Sequence, residues 1–431
     1  MLRKDLIALG FMTFALFLGA GNIIYPPILG QQAGSELLLA AVGFLLTAVG
    51  LPLLALVSMA LTGGSREMTE LLPRRWSRAF WFILFIAFGP ALVIPRVAVV
   101  AYEMGMAPFL EAPQAGQLAV YSAVFFALAL LLALKPGAMI NAVGRWVTPA
   151  LILLLCAIAW GTLSQPQDLI HATTMAAPLS EGLVQGYMTM DCIAALGFGA
   201  VIGQAIRQLG ITEPKAMARY TIYAAIIAAA GLSLVYLMLM YLGATSTSIA
   251  PNATNGGQIL ALYVAALFGL PGKLLLALTI SLACLTTAVG VGSACAHYFS
   301  REFKLNYAVA LAGVMLASAV TANVGLTQLI AISAPAVVAL YPLAVALVIL
   351  ALVRHKLPNA LQAYRIIFPI VALFALLDGA KAAGLLADAS IQALEHWLPL
   401  FSQGMGWLIP FMVTLAFVWL SGYGKRLTQV A

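Results

Sequence analysis

Long runs of Leu, Ala, Val, Ile and Phe, each ended by a short polar or basic interruption, follow one another along all 431 residues. A hydrocarbon core takes about 20 helical residues to cross. The runs predict helices at 5–30, 36–62, 79–108, 117–134, 142–163, 183–207, 216–243, 272–299, 304–323, 325–353, 359–385 and 404–423. The chain thus reads as an all-α polytopic membrane protein with twelve transmembrane helices. Asp5 to Gly30 follows Arg3 and Lys4 as a signal peptide would, but it is too long and lacks a small-residue cleavage site, so it reads as the first helix. The segments 164–182 and 244–271 hold no Lys or Arg and read as loops. Within the second, Gln258 to Phe268 is apolar but too short to span, which suits a surface or re-entrant helix.

Composition strengthens this reading. The chain is 63% hydrophobic and 8% charged, against roughly 45–50% and about 25% in soluble domains, which excludes a water-soluble fold. The net charge of +7 follows topology: with a cytoplasmic N-terminus, all 21 basic residues except Arg96, Lys273 and Lys381 fall in segments on the cytoplasmic side. That distribution requires an even number of spans and both termini inside, and it leaves no reason to expect a nucleic-acid partner. Cys156, Cys192, Cys284 and Cys295 lie in apolar runs without metal-ligand spacing and read as core residues.

Two predicted helices lack helix formers in mid-membrane. Helix 1 contains Leu18-Gly19-Ala20-Gly21-Asn22 followed by Pro26-Pro27, and helix 6 contains Leu196-Gly197-Phe198-Gly199. Non-helical backbone is tolerated at that depth only inside protein or along a cavity. There, freed N–H groups suit a carboxylate and freed carbonyls suit a cation. The competing reading is that the glycines are close-packing faces. Spans 1 and 6 correspond if spans 1–5 and 6–10 are two halves, and halves of five helices must be inverted relative to one another, which favours a site. In helix 8, Ala283, Thr286 and Thr287 share one face at i, i+3 and i+4, an all-oxygen set without carboxylate that suits a monovalent cation. Alternatively, each hydroxyl bonds back to its own helix.

Charges inside spans need partners. Arg96 and Glu103 share a face of helix 3, Asp378 and Lys381 read as a local pair, and Asp191 reads as a gating or proton-sensitive group or as a helix cap. The four histidines fall in loops or at helix ends, and no nucleophile, base and orienting group converge, so no enzyme is indicated.

The stretch Leu9-Gly10-Phe11-Met12-Thr13-Phe14-Ala15-Leu16-Phe17-Leu18-Gly19-Ala20-Gly21-Asn22-Ile23-Ile24-Tyr25-Pro26-Pro27 resembles the opening of the branched-chain amino acid:cation symporters, the bacterial BrnQ-type carriers. Gly186 to Asp191 and Ala283 to Gly290 resemble that family as well. The resemblance implies Na+-coupled uptake of leucine, isoleucine and valine across a bacterial cytoplasmic membrane. It also implies the five-plus-five inverted repeat of the amino acid, polyamine and organocation superfamily: residues 1–163, then 164–355, with helices 11 and 12 in 356–431. A more distant likeness links Gly19 to Asn22 and Leu196 to Ile202 with the broken helices 1 and 6 of the bacterial leucine transporter. It implies a sodium site of Ala15, Leu18, Ala283, Thr286 and Thr287. It further implies a substrate site of Phe17, Gly19, Ala20, Gly21 and Asn22 with Ala195, Leu196, Gly197 and Phe198. Proton coupling through Asp191 or Glu103, with another small neutral substrate, is the alternative.

Overall fold

The computed structural model describes residues 3–110, 115–134 and 148–427. Lys135, Arg145 and the predicted start of the fifth helix lie outside them. The described elements are helices joined by short turns and loops. Among the described residues, eight helical segments are long and apolar enough to cross a membrane, and Leu151–Ser164, Tyr307–Ala322 and Leu408–Ser421 are shorter apolar helices. Helices satisfy every backbone group within one segment, which hydrocarbon demands. The outward surface matches that solvent: Leu38 is 78% exposed, Leu153 72% and Leu234 71%. Buried helix hydroxyls mostly bond back to their own helix, as Thr13 Oγ1 does to the Leu9 carbonyl at 2.8 Å and Ser318 Oγ to that of Val314 at 2.7 Å.

The chain opens with α1 (Arg3–Phe17) and α2 (Ala20–Ala33), one span interrupted at Leu18 and Gly19. Next come α3 (Leu37–Leu45) and α4 (Leu51–Thr62), joined through a wide π-helical turn, Leu46–Gly50. The pair α5 (Arg74–Ile86) and α6 (Val93–Gly105) is jointed by a second such turn, Ala87–Ala91, where Gly89 leaves helical geometry ahead of Pro90. After α7 (Ala115–Ala133) and α8 (Thr148–Ser164), α9 (Pro178–Met188) and α10 (Asp191–Gln208) form a second interrupted span. Its helix therefore begins inside the segment expected to be loop. The long α11 (Pro214–Ala244) packs along both α1 and α2.

The next helix, α12 (Gly256–Phe303), bends at Gly269. Its first part is the short apolar helix expected there; its second packs against α6, α10 and α13 (Tyr307–Ala322). The remaining helices are α14 (Leu326–Val353), α15 (Ala360–Ala382), α16 (Asp388–Trp397) and α17 (Leu408–Leu427). Pro335 and Pro342 lie inside α14 without ending it.

Loops that lack Lys and Arg gather at one end of the bundle. Ser35 N–H donates to the His171 carbonyl at 2.8 Å, Thr174 N–H to that of Gln32 at 3.0 Å, and Ser248 N–H to Asp168 Oδ2 at 3.0 Å. At the other end, Arg78 pairs with Glu302 at 2.7 Å and Arg354 with Glu70 at 2.9 Å. Asp378 and Lys381 do not pair with each other. Asp378 accepts from the N–H groups of Gly406 and Trp407, each at 3.2 Å, while Lys381 meets Glu395 at 2.8 Å, so both fasten α15 to the following segment.

Candidate functional site

The first interruption is where the sequence places it. Leu18 N–H still donates to the Phe14 carbonyl, but Gly19 N–H turns to the Phe17 carbonyl at 2.7 Å and to Asn22 Oδ1 at 3.2 Å instead of to Ala15 four residues back. Asn22, in the first turn of α2, thus closes the break with its own side chain, one half of a capping box.

The second interruption is not at Leu196 to Gly199. Those residues are inside α10, where the helix itself engages their carbonyls. Their glycines are packing positions: a Cβ at Gly197 would stand 2.6 Å from the Phe88 ring, and one at Gly199 would stand 3.1 Å from the end of Met59. The span instead breaks at Thr189 and Met190, with Met190 in the left-handed region at φ 66°, a conformation that costs a residue with a side chain about 1–2 kcal/mol. Asp191 is the first residue of α10 and does not cap it; its carboxylate reaches across to other helices.

Buried polar side chains join the two breaks. Asp191 Oδ2 accepts from Asn22 Nδ2 at 2.6 Å and from the Tyr236 hydroxyl of α11 at 3.1 Å, and Asn22 Nδ2 also contacts that hydroxyl. From α6, Arg96 donates through Nη1 to the Met188 carbonyl at 3.0 Å and through Nη2 to that of Thr189 at 3.3 Å. Its Nη1 also reaches the Tyr25 hydroxyl at 3.5 Å. The guanidinium lies so close to α2 that a Cβ at Gly21 would stand 2.7 Å from Nη2 and 3.2 Å from the Thr189 backbone. Glu103, on the same helix as Arg96, stands apart on a cavity wall.

On the other side of the first break, Thr286 and Thr287 differ. Thr286 Oγ1 bonds back to the Ala283 carbonyl at 2.8 Å, whereas Thr287 Oγ1 is one of five buried hydroxyls without a partner among the described residues. It faces the break: a Cβ at Gly19 would stand 3.4 Å from it. The carbonyl of Ala15, denied its usual helical donor, is on the same turn of α1.

Of the expected substrate residues, Phe17, Gly19, Ala20, Gly21 and Asn22 lie at or just past the break in α1, all buried. Phe17 meets Phe198 edge to face at 5.4 Å, and Phe198 meets Phe88 likewise at 5.4 Å. The aromatic column continues through Phe85 to Tyr298, stacked on it at 4.2 Å. That column ends at a cavity of about 730 Å³ lined by Arg66, Arg78, Ala200 and Arg301. A second cavity of about 730 Å³ opens at the other end of the bundle, and its lining includes Ile24, Val100, Glu103 and Asn255. Ile24 and Val100 are about one helical turn beyond Gly21 and Arg96. The breaks therefore lie between two vestibules at opposite ends.

Sequence reading missed Thr189, Met190, Tyr25 and Tyr236. The tyrosines carried the only signal, since a hydroxyl in a mid-membrane apolar run needs a partner.

Two interrupted helices crossing at a buried polar centre between opposed vestibules define a polytopic membrane carrier of the leucine-transporter fold. The structure is similar to that of MhsT in complex with L-phenylalanine, with a TM-score of 0.54, 14% identity and coverage of 96% of this chain and 98% of that one. It is also similar to a Na+-coupled sialic acid symporter in a substrate-bound outward-open state, with a TM-score of 0.60, 13% identity and coverage of 97% and 90%.

The family model described as branched-chain amino acid transport protein matches residues 2–422, and the chain belongs to that family. It is 45% identical over 415 residues to the branched-chain amino acid transport system 2 carrier protein of Pseudomonas aeruginosa, covering 95% of this chain and 94% of that one. It is 41% identical over 440 residues to the branched-chain amino acid permease BrnQ of Escherichia coli, covering 99% and 98%. The family and these relatives are transport proteins, not enzymes.

Proposed function

We propose that this chain takes up leucine, isoleucine and valine in symport with Na+ across a bacterial cytoplasmic membrane, with both termini in the cytoplasm. The observation that carries the ion assignment is the partnerless Thr287 hydroxyl, buried against the break in α1. Ala15, Leu18 and Ala283 carbonyls with the Thr286 and Thr287 hydroxyls are the proposed Na+ ligands, a neutral oxygen set suited to a monovalent ion. Substrate is proposed to lie at the paired breaks, near the backbone from Gly19 to Asn22 and the break at Thr189 and Met190, with its aliphatic side chain toward Phe17 and Phe198. An apolar pocket separates substrates differing by one methylene by only about 1–3 kcal/mol, so the three amino acids should compete with one another. Coupling follows because Na+ bridging α1 and α12 would order the break that holds substrate, giving the ion unequal affinity for the two states. The two halves, 1–163 and 164–355, are proposed as the inverted repeats, with 356–431 outside them.

Labelled leucine uptake into proteoliposomes, driven in turn by a sodium, potassium or proton gradient, tests this reading. Sodium-dependent uptake supports it. Thr287→Ala is expected to raise the sodium concentration for half-maximal uptake about tenfold, the loss of one oxygen ligand, while leucine affinity at saturating sodium changes little. An unchanged sodium dependence would remove Thr287 from the ion site. The buried Asp191 carboxylate, which accepts from the neutral donors Asn22 and Tyr236, gives the second reading, proton coupling. Uptake that follows a proton gradient without sodium would establish it.

A further inference from the structure

We propose that Arg96 and Asp191 form a two-pole clamp for an α-amino acid zwitterion, Arg96 taking the α-carboxylate and Asp191 the α-ammonium. This rests on the reading that substrate occupies the paired breaks.

Arg96 is 2% exposed and Asp191 3%. Among the described residues, no carboxylate comes within 4.0 Å of the Arg96 guanidinium, and no cation within that distance of Asp191. Arg96 rests on three neutral oxygens, and its buried Nε has no partner at all. Asp191 Oδ2 accepts two neutral donors. Both residues hold on to Thr189, Arg96 through the carbonyl and Asp191 through its N–H to Oγ1 at 3.4 Å. Two opposite charges thus lie near Thr189 without a direct ion pair, in an interior where a buried charge is costly unless it is paired and hydrogen-bonded.

Dipoles account for part of the compensation. Arg96 sits at the C-terminal carbonyls of α9, where a cation is favoured, and Asp191 at the N-terminus of α10, where an anion is favoured. Both poles are therefore fixed before substrate arrives. What remains unmet is two of the five guanidinium N–H groups, that of Nε among them, and a direct ion partner for either charge. An α-amino acid brings one carboxylate and one ammonium, the complement of both. Arginine suits the first because its planar fork can hold two backbone carbonyls and still present a further donor to a carboxylate, which a lysine ammonium does less well. The vestibule that reaches Ile24 and Val100, a turn away on the same helices, supplies the route.

Competition against labelled leucine uptake in proteoliposomes tests the clamp, using leucine, leucinamide and 4-methylpentanoate. The amide lacks the negative charge and the acid lacks the positive one; the pH is held low enough to keep the amide's ammonium charged. Wild-type protein is expected to prefer leucine over each analogue by about 10- to 100-fold, the range for one charged hydrogen bond. Arg96→Gln should erase the preference over leucinamide and keep that over 4-methylpentanoate, and Asp191→Asn should do the reverse. Arg96→Lys should retain part of the first preference. For variants that bind without transporting, protection from thermal unfolding in detergent by the same ligands gives the same comparison.

The clamp is overturned if wild-type protein accepts leucinamide as well as leucine, a result that needs no variant. It is equally overturned if Arg96→Gln keeps the full preference, which would leave Arg96 only as the cap of α9. Absence of any saturable leucine uptake by wild-type protein would instead reject the substrate reading itself, and the clamp with it.

Discussion

At the scale of single residues, the centre depends on atoms that are missing as much as on those present. Gly21 lets the Arg96 guanidinium lie against α2; a Cβ there would meet Nη2 at 2.7 Å and the Thr189 backbone at 3.2 Å, and backbone cannot swing aside. Gly21→Ala is therefore expected to reduce leucine uptake at least about tenfold, equivalent to about 1.4 kcal/mol, at an unchanged amount of protein in the membrane by immunoblot. Gly19→Ala, whose nearest neighbours are Thr287 side-chain atoms at 3.2 and 3.4 Å, should be milder on uptake but should shift sodium dependence. Equal effects of the two on both measurements would refute this division. Arg96, Asp191 and Asn22 were legible as polar residues in apolar runs, whereas their pairing was not. Arg96 binds carbonyls 92 and 93 positions away and Asn22 binds a carboxylate 169 away, distances over which one sequence carries no pairing signal. The left-handed Met190 was invisible for another reason: nothing in its side chain favours that conformation.

At the scale of elements, glycine has two meanings that composition alone does not separate. Gly19 marks a real break, while Gly197 and Gly199, equally suggestive in sequence, stay helical and admit Phe88 and Met59. The interruption that matters in that span falls at Thr189 and Met190 because Arg96 satisfies the carbonyls that the break releases. Other glycines set helix contacts. Cβ atoms at Gly30 and Gly243 would collide with the carbonyls of Met240 and Pro27, so α2 and α11 touch backbone to backbone. Gly243→Ala must push these helices apart and is expected to lower the melting temperature in detergent sharply or prevent accumulation. Gly313→Ala, in α13 with nothing within 4 Å of the added carbon, should leave melting unchanged or raise it by the helix propensity gain of up to about 1 kcal/mol. Comparable destabilisation by both would show that backbone entropy and not contact governs these positions.

At the scale of the whole molecule, scarcity of charge organises both topology and transport. Arg66, Arg74, Arg78 and Arg301 surround one vestibule, whereas among the described residues no Lys or Arg lines the other, as expected if the first faces the cytoplasm. Between the two vestibules stand the polar centre and the aromatic column from Phe17 to Tyr298. Rocking about a central site requires one vestibule to widen as the other narrows. Two single cysteines in a background lacking Cys156, Cys192, Cys284 and Cys295 report this directly: Ala253→Cys in the vestibule without arginines and Ala200→Cys in the arginine-lined one. An impermeant thiol reagent should modify Ala253→Cys in intact cells and Ala200→Cys only in inside-out vesicles. Reversed sidedness would contradict the cytoplasmic placement of the arginines. Adding sodium and leucine should change the two labelling rates in opposite directions, because a ligand can redistribute states only by binding one better than the other. Rates that rise together would mean that both vestibules open at once, as in a channel, and a sodium gradient could not then drive accumulation.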